Sequence, residues 1–266
     1  MSYLKLIRYV CVLALLISGT TNARDISNCY LVADGRAEVV SLDAHMANGT
    51  AVEIDAILAW PSGNGPHPAI VISPGGRGPF LPYCYGAVME QFVEWGYVVL
   101  MAYGTTARDA AGNTVFEYTF EDRASYASGA AYALSEMSGV DSTRIGLWGH
   151  SNGGWAVFEA MLGTTLKPVL FRVAVAAAPY VCPSQPVPPP IPLLIIIGDQ
   201  DKKSAVNWCI DYSKKLEGVP ELEFLLLTGA GHAYWYPETA GDAETAARQA
   251  KTRLKTFLAR HLRDAP

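Results

Sequence analysis

One pentapeptide constrains this chain more than any other stretch: Gly149-His150-Ser151-Asn152-Gly153. It fits Gly-x-Ser-x-Gly, and its flanks matter as much as its letters. Before it, Ile145 to Trp148 is a short apolar run that reads as a buried strand. After it, Trp155, Phe158, Ala160 and Met161 fall at helical spacing. Strand, tight turn and helix in that order form an elbow that holds a serine in a strained conformation with its hydroxyl exposed above a sheet. Glycine at 149 and 153 removes the Cβ atoms that would collide where strand and helix come closest. The N–H of Asn152 then points at the place where an oxyanion would form.

The rest of the chain has to supply a sheet for that turn. Its 266 residues are 50% hydrophobic, enough for one sizeable core and an ordinary length for a single α/β domain. Twenty basic residues stand against 25 acidic ones with no basic face, which excludes a nucleic-acid partner. Residues 1–23 read as a secretory signal peptide. Lys5 and Arg8 precede the apolar run Tyr9 to Gly19, and Thr21-Asn22-Ala23 offers small residues for cleavage. The apolar run is too short for a comfortable membrane span. The expectation is an exported protein, periplasmic or secreted, with one domain over 24–266 and no membrane span after cleavage. Removal of Cys11 leaves Cys29, Cys84, Cys182 and Cys209, an even set that favours disulfides in an oxidising compartment. Cys182 and Cys209 would follow adjacent strands at one end of the sheet and are expected to pair, leaving Cys29 with Cys84. No Cys/His spacing suggests zinc.

In chain order, Ala37 to Leu42 and Val52 to Trp60 alternate as half-exposed strands do. Ala69 to Ile72, Tyr97 to Ala102, Ile145 to Trp148, Arg172 to Ala178, Leu193 to Ile197 and Leu222 to Leu227 are apolar runs of strand length. Helical patterns at Tyr83 to Trp95, Glu121 to Met137 and Ala240 to Leu262 alternate with them. Continuously apolar strands between helices imply a parallel sheet covered on both faces. Cys182 to Pro192 holds six prolines and reads as a stiff loop, too short for a lid, so an open site is expected.

A serine nucleophile needs a base, and the base needs an orienting acid. In this architecture they follow in the order Ser, acid, His. His45 and His67 precede the elbow, with His67 in a turn; His261 lies in the terminal helix; His150 neighbours Ser151 and should point elsewhere. His232, in Gly229-Ala230-Gly231-His232 after the last strand, is the expected base. The acid follows the penultimate strand in Gly198-Asp199-Gln200-Asp201. Asp201 is preferred, with Asp199 expected to cap the next helix. In Pro74-Gly75-Gly76-Arg77-Gly78, Gly76 is the expected second oxyanion donor, with Arg77 next. Arg77 is also a candidate partner for a substrate carboxylate, although solvation is the plainer role of a lone arginine. Aromatic residues near these segments, among them Tyr85, Trp155, Tyr180 and Trp235, suggest a pocket for an apolar or aromatic group; core packing is the alternative.

These motifs resemble the α/β-hydrolase superfamily, and more closely the dienelactone hydrolase family. The resemblance rests on Ser-Pro-Gly-Gly-Arg-Gly at 73–78, Gly-His-Ser-Asn-Gly-Gly-Trp at 149–155, Gly-Asp-Gln-Asp at 198–201 and Gly-His at 231–232. It implies a mostly parallel eight-stranded sheet with helices on both faces, no large lid domain, a Ser151–Asp201–His232 triad and no cofactor. Well-known members carry a cysteine nucleophile and are cytoplasmic, whereas this chain has Ser151 and an export signal. That turns the expectation toward a serine carboxylesterase working through an acyl-enzyme on a small-molecule or polymeric ester. A peptidase or amidase, a lactone hydrolase, an acyltransferase and a non-catalytic binding protein on the same fold are the rival readings.

Overall fold

The structure, a computed structural model, describes residues 30–76, 82–115, 119–162, 171–235 and 242–263. The segment read as a signal peptide, Cys29, Arg77 and the side chain of Cys84 lie outside these residues, and with them the expected Cys29–Cys84 pairing.

The strands are β1 (Glu38–His45), β2 (Ala51–Ala59), β3 (His67–Ser73), β4 (Val98–Arg108), β5 (Val140–His150), β6 (Val173–Ala177), β7 (Leu193–Gly198) and β8 (Leu222–Leu227). The helices are α1 (Tyr30–Ala33), α2 (Pro82–Glu94), α3 (Phe120–Ser135), α4 (Asn152–Leu162), α5 (Lys203–Lys215) and α6 (Asp242–Leu258), the last continued by a π turn over Ala259–Arg263. One eight-stranded sheet runs β1-β2-β4-β3-β5-β6-β7-β8. The pairs β1–β2 and β2–β4 are antiparallel; every other pair is parallel.

Strand alternation divides the interior into two cores. On β3, Ala69 and Val71 face one side with α3, α4 and α5. Ile70 and Ile72 face the other with α1, α2 and α6. Both faces of the central strands are therefore covered, which is why they read as unbroken apolar runs rather than alternating ones. Each fully buried aliphatic side chain there contributes roughly 1.5–3 kcal/mol. β1 and β8 are the edge strands, and β8 is mostly half-buried.

The structure extends several expected elements. β4 continues to Arg108 because that guanidinium bonds the Asp55 carboxylate at 2.6 and 3.1 Å and Glu53 at 3.0 Å across the β2–β4 irregularity. His67, expected in a turn, opens β3, with its N–H bonded to Gly139 O at 2.8 Å. The short α1 was not anticipated; its Leu31 is buried against α2. Between β6 and β7 there is no helix, so nothing there forms a lid. Cys182, after β6, is disulfide-bonded to Cys209 on α5, with Cα atoms 4.9 Å apart. No helix among the described residues is long and apolar enough to cross a membrane.

Candidate active site

The carboxyl ends of β3, β5, β6, β7 and β8 all open at one edge of the sheet, the edge where ligands of open α/β sheets bind. The loops leaving them carry Pro74 to Gly76, Ser151, Ala178 to Tyr180, Asp199 to Asp201 and Thr228 to His232.

Ser151 sits between β5 and α4 with φ 57°. A left-handed residue with a side chain is strained by roughly 1–2 kcal/mol, and here the surroundings impose it. A Cβ on Gly149 would lie 2.1 Å from Gly153 O, and one on Gly153 would lie 1.9 Å from Ser73 O. The Ser151 N–H is held by Ala177 O at 3.1 Å, and its carbonyl accepts from the Tyr180 N–H at 3.0 Å. Asn152 is the first residue of α4, so its N–H has no acceptor within the helix.

The His232 ring is bonded on both sides. Its Nδ1–H donates to Asp201 Oδ2 at 2.8 Å and Oδ1 at 3.0 Å, and its Nε2 accepts from Ser151 Oγ at 2.9 Å. The Asp201 side chain is 4% exposed, whereas that of His232 is 43% exposed, so a dry carboxylate orients an imidazole open to solvent. Asp199 has a different task from the one expected. It does not cap α5, whose start has no side-chain cap. Its Oδ1 instead accepts the Gly229 N–H at 2.8 Å. Its own N–H meets Leu227 O, and the Gln200 N–H meets Ala230 O at 2.9 Å. Gly198 makes this approach possible, since a Cβ there would lie 2.0 Å from Ala230 O. These bonds dock the loop that carries His232.

The loop after β3 approaches Ser151 so closely that a Cβ on Gly75 would lie 2.8 Å from Ser151 Cβ. Two side chains hold it: Arg123, which sequence reasoning did not single out, and Tyr85, one of the aromatic residues expected near the site. Arg123, buried on α3, donates Nη1–H to Pro74 O at 2.8 Å and Nη2–H to Gly76 O. Tyr85 Oη accepts the Gly75 N–H at 2.9 Å and is 2.9 Å from His150 Nδ1. His150 therefore does not point away: its Nε2 is 3.2 Å from His232 O, and the two rings lie 5.0 Å apart. Burial, reinforced by the neighbouring His232, pushes the His150 pKa down to about 4.

The aromatic residues divide. Tyr180 is 43% exposed beside Ser151, with Lys202 Nζ 4.7 Å over its ring. Trp155 is half-buried and meets Phe120 edge-on at 6.0 Å. Trp235, expected to line a pocket, is 3% exposed and packs on Trp148 at 5.9 Å. It belongs to the core beneath the site, because burying an indole against another ring stabilises the loop more than exposing it would. Tyr234 is buried too, with its hydroxyl on Ile196 O at 3.3 Å, and burial raises its pKa. Among the described residues no group of three or more His, Cys, Asp or Glu could hold a metal ion.

Solved structures share this architecture. A thermophilic esterase from the planctomycete Thermogutta terrifontis superposes with TM-score 0.66 at 18% identity, covering 86% of this chain and 94% of that one. A lidless α/β serine hydrolase from Xanthomonas campestris gives 0.60 at 17%, covering 86% and 97%. A dienelactone hydrolase-like promiscuous phosphotriesterase from metagenomic libraries gives 0.60 at 18%, covering 85% and 99%. At such identities the likeness is one of fold. No curated protein sequence matches the chain. Residues 54–262, which span most of the sheet and every loop of the site, match the dienelactone hydrolase family, and the chain belongs to that family.

Proposed function

We propose that the protein is a serine carboxylesterase that works through an acyl-enzyme. The observation that carries this reading is the unbroken line Ser151 Oγ, His232 Nε2, His232 Nδ1 and Asp201, with contacts of 2.9 and 2.8 Å. His232 Nε2 takes the Ser151 proton as Oγ attacks the ester carbonyl, and Asp201 stabilises the imidazolium. The Asn152 and Gly76 N–H groups receive the oxyanion; Gly75 cannot, because its N–H is committed to Tyr85. His232 then protonates the leaving alcohol. A water deprotonated by the same nitrogen hydrolyses the acyl-enzyme. No cofactor enters this scheme.

The exposed His232, the lid-free connection between β6 and β7, and Tyr180 at the rim favour small or medium esters, or an ester on a polymer surface. Export completes the reading. It is supported by the basic-then-apolar start of the chain and by the Cys182–Cys209 disulfide, which belongs to oxidising compartments. Hydrolysis of p-nitrophenyl esters from acetate to dodecanoate, with Ser151→Ala beside the wild type, tests the chemistry. Activity confined to short chains and lost in the variant is expected; ester turnover that survives Ser151→Ala refutes the reading. The intact mass of the exported protein tests the leader, and a mature chain starting at Arg24 is expected.

A further inference from the structure

The hydrogen bonds around His150 form one continuous chain, and the donor capacities of its members fix its direction. The Gly75 N–H can only donate, so Tyr85 Oη accepts from it at 2.9 Å. At the other end the His232 carbonyl can only accept, so His150 Nε2 carries the proton in the 3.2 Å contact. A neutral imidazole has one N–H, which leaves His150 Nδ1 as an acceptor, and the Tyr85 hydroxyl donates to it at 2.9 Å. Each of the three bonds runs in one sense, from the Gly75 loop to the His232 loop. The chain starts in the loop beside the proposed oxyanion site and ends on the backbone of the proposed base.

We propose that Tyr85 and His150 are positioning residues that hold the oxyanion loop and the His232 loop in register across the top of the sheet. These two loops leave β3 and β8, strands that do not touch in the sheet. A chemical step that needs Gly76 and His232 on one acyl carbon needs them aligned within a fraction of an ångström. The fold supplies that alignment through α2, which carries Tyr85, and through the last residue of β5, which is His150. His150 packs parallel to Trp148 at 6.2 Å, and Tyr85 meets Trp148 edge-on at 6.0 Å, so one indole braces both rings. The suppressed basicity of His150 keeps it in the neutral form that the chain requires. A protonated His150 would direct a second N–H at Tyr85 Oη and leave the tyrosine proton without its acceptor.

The inference rests on the esterase reading, and its test separates the two. Tyr85→Phe keeps the ring and removes the oxygen; His150→Phe removes both contacts; His150→Gln keeps a donor for His232 O. Steady-state kinetics on p-nitrophenyl acetate would accompany circular dichroism to confirm folding. Expected are a kcat about 10-fold lower for Tyr85→Phe with KM within a factor of 2, as for a group that acts in the transition state alone. His150→Phe should lose about 100-fold and His150→Gln less. The double variant Tyr85→Phe/His150→Phe should be no slower than His150→Phe, because a broken chain cannot be broken twice. Wild-type kcat in folded Tyr85→Phe overturns the proposal, and so do losses that multiply in the double variant. Should His150→Phe fail to fold, Tyr85→Phe decides alone. If Ser151→Ala abolishes turnover while Tyr85→Phe does not alter it, only the positioning role fails. If Ser151→Ala keeps turnover, the esterase reading fails.

Discussion

Asp201 and Asp199 stand two residues apart and face opposite tasks: Asp201 grips His232 Nδ1 at 2.8 Å, while Asp199 grips the Gly229 N–H at 2.8 Å. One carboxylate orients the imidazole, and the other docks the loop on which the imidazole rides. Exchanging them for amides should therefore give different phenotypes. Asp201→Asn keeps the shape but offers His232 the wrong hydrogen-bond partner, and kcat should fall about 10³–10⁴-fold. Asp199→Asn should lower stability by about 1 kcal/mol and kcat by less than about 10-fold. Kinetics and urea unfolding of the two variants check this.

Arg123 clamps the carbonyls of Pro74 and Gly76 from α3. Arg123→Met fills similar space but releases the loop, so the Gly76 N–H loses its aim. The expected loss in kcat is about 10–100-fold, less than the 10²–10³ of deleting an oxyanion donor outright. Arg123→Lys should not restore it, since a point-charge ammonium lacks the planar fork that reaches both oxygens.

His150 is half-buried, and desolvation of its ring pushes its pKa down to about 4 from an ordinary 6.5. The folded state thus refuses a proton that the unfolded chain accepts below pH 6.5. The stability this neutral site contributes is complete above that pH and declines as pH falls toward 4. Between pH 7 and pH 5 the loss from this group is about 2 kcal/mol. Urea denaturation at the two pH values should show it, and His150→Gln should flatten that difference by about this amount.

Cys182 and Cys209 close a loop across a sequence separation of 27. Loop-closure entropy places the stabilisation near 3.5 kcal/mol. The double variant Cys182→Ala/Cys209→Ala should unfold at a correspondingly lower urea concentration. Its kcat should change less than its stability, because the disulfide ties the Tyr180 side of the site to α5 without touching Ser151, Asp201 or His232.

Gly153 has no space for a side chain: a Cβ would meet backbone Ser73 O at 1.9 Å. Gly112, with φ 83°, meets nothing within 4 Å. Gly153→Ala should cost about 3 kcal/mol or more, since backbone on both sides must shift. Gly112→Ala should cost about 1 kcal/mol, from the left-handed backbone alone. Thermal unfolding of the two variants separates steric exclusion from conformational strain.

The eight strands were legible because both period-2 alternation and unbroken apolar runs survive in the primary sequence. The elbow was legible because its constraints lie within a few residues: Gly149 and Gly153 face each other across one turn. His232 and Asp201 could be picked by chain order. His150 was misread by adjacency to Ser151. The signal that finds it is parity: it shares the strand face of Trp148, the face that α2 covers with Tyr85. No comparable signal marks Arg123, which reads as one more charge at the start of an Ala-rich helix, or separates Trp235 from the exposed Tyr180.

By itself the sequence determined the eight strands, the glycines that allow Ser151 its backbone, and the order in which Ser151, Asp201 and His232 follow β5, β7 and β8. These depend on steric rules and burial periods that act over a few neighbouring residues. Tertiary structure alone decided that Asp199 docks the His232 loop instead of capping α5, that His150 joins Tyr85 to the His232 loop, that Arg123 holds a loop 49 residues away, and that Trp235 packs inward. Those outcomes depend on strand register and loop closure, which place partners from distant segments within hydrogen-bond range and leave no local trace in the chain.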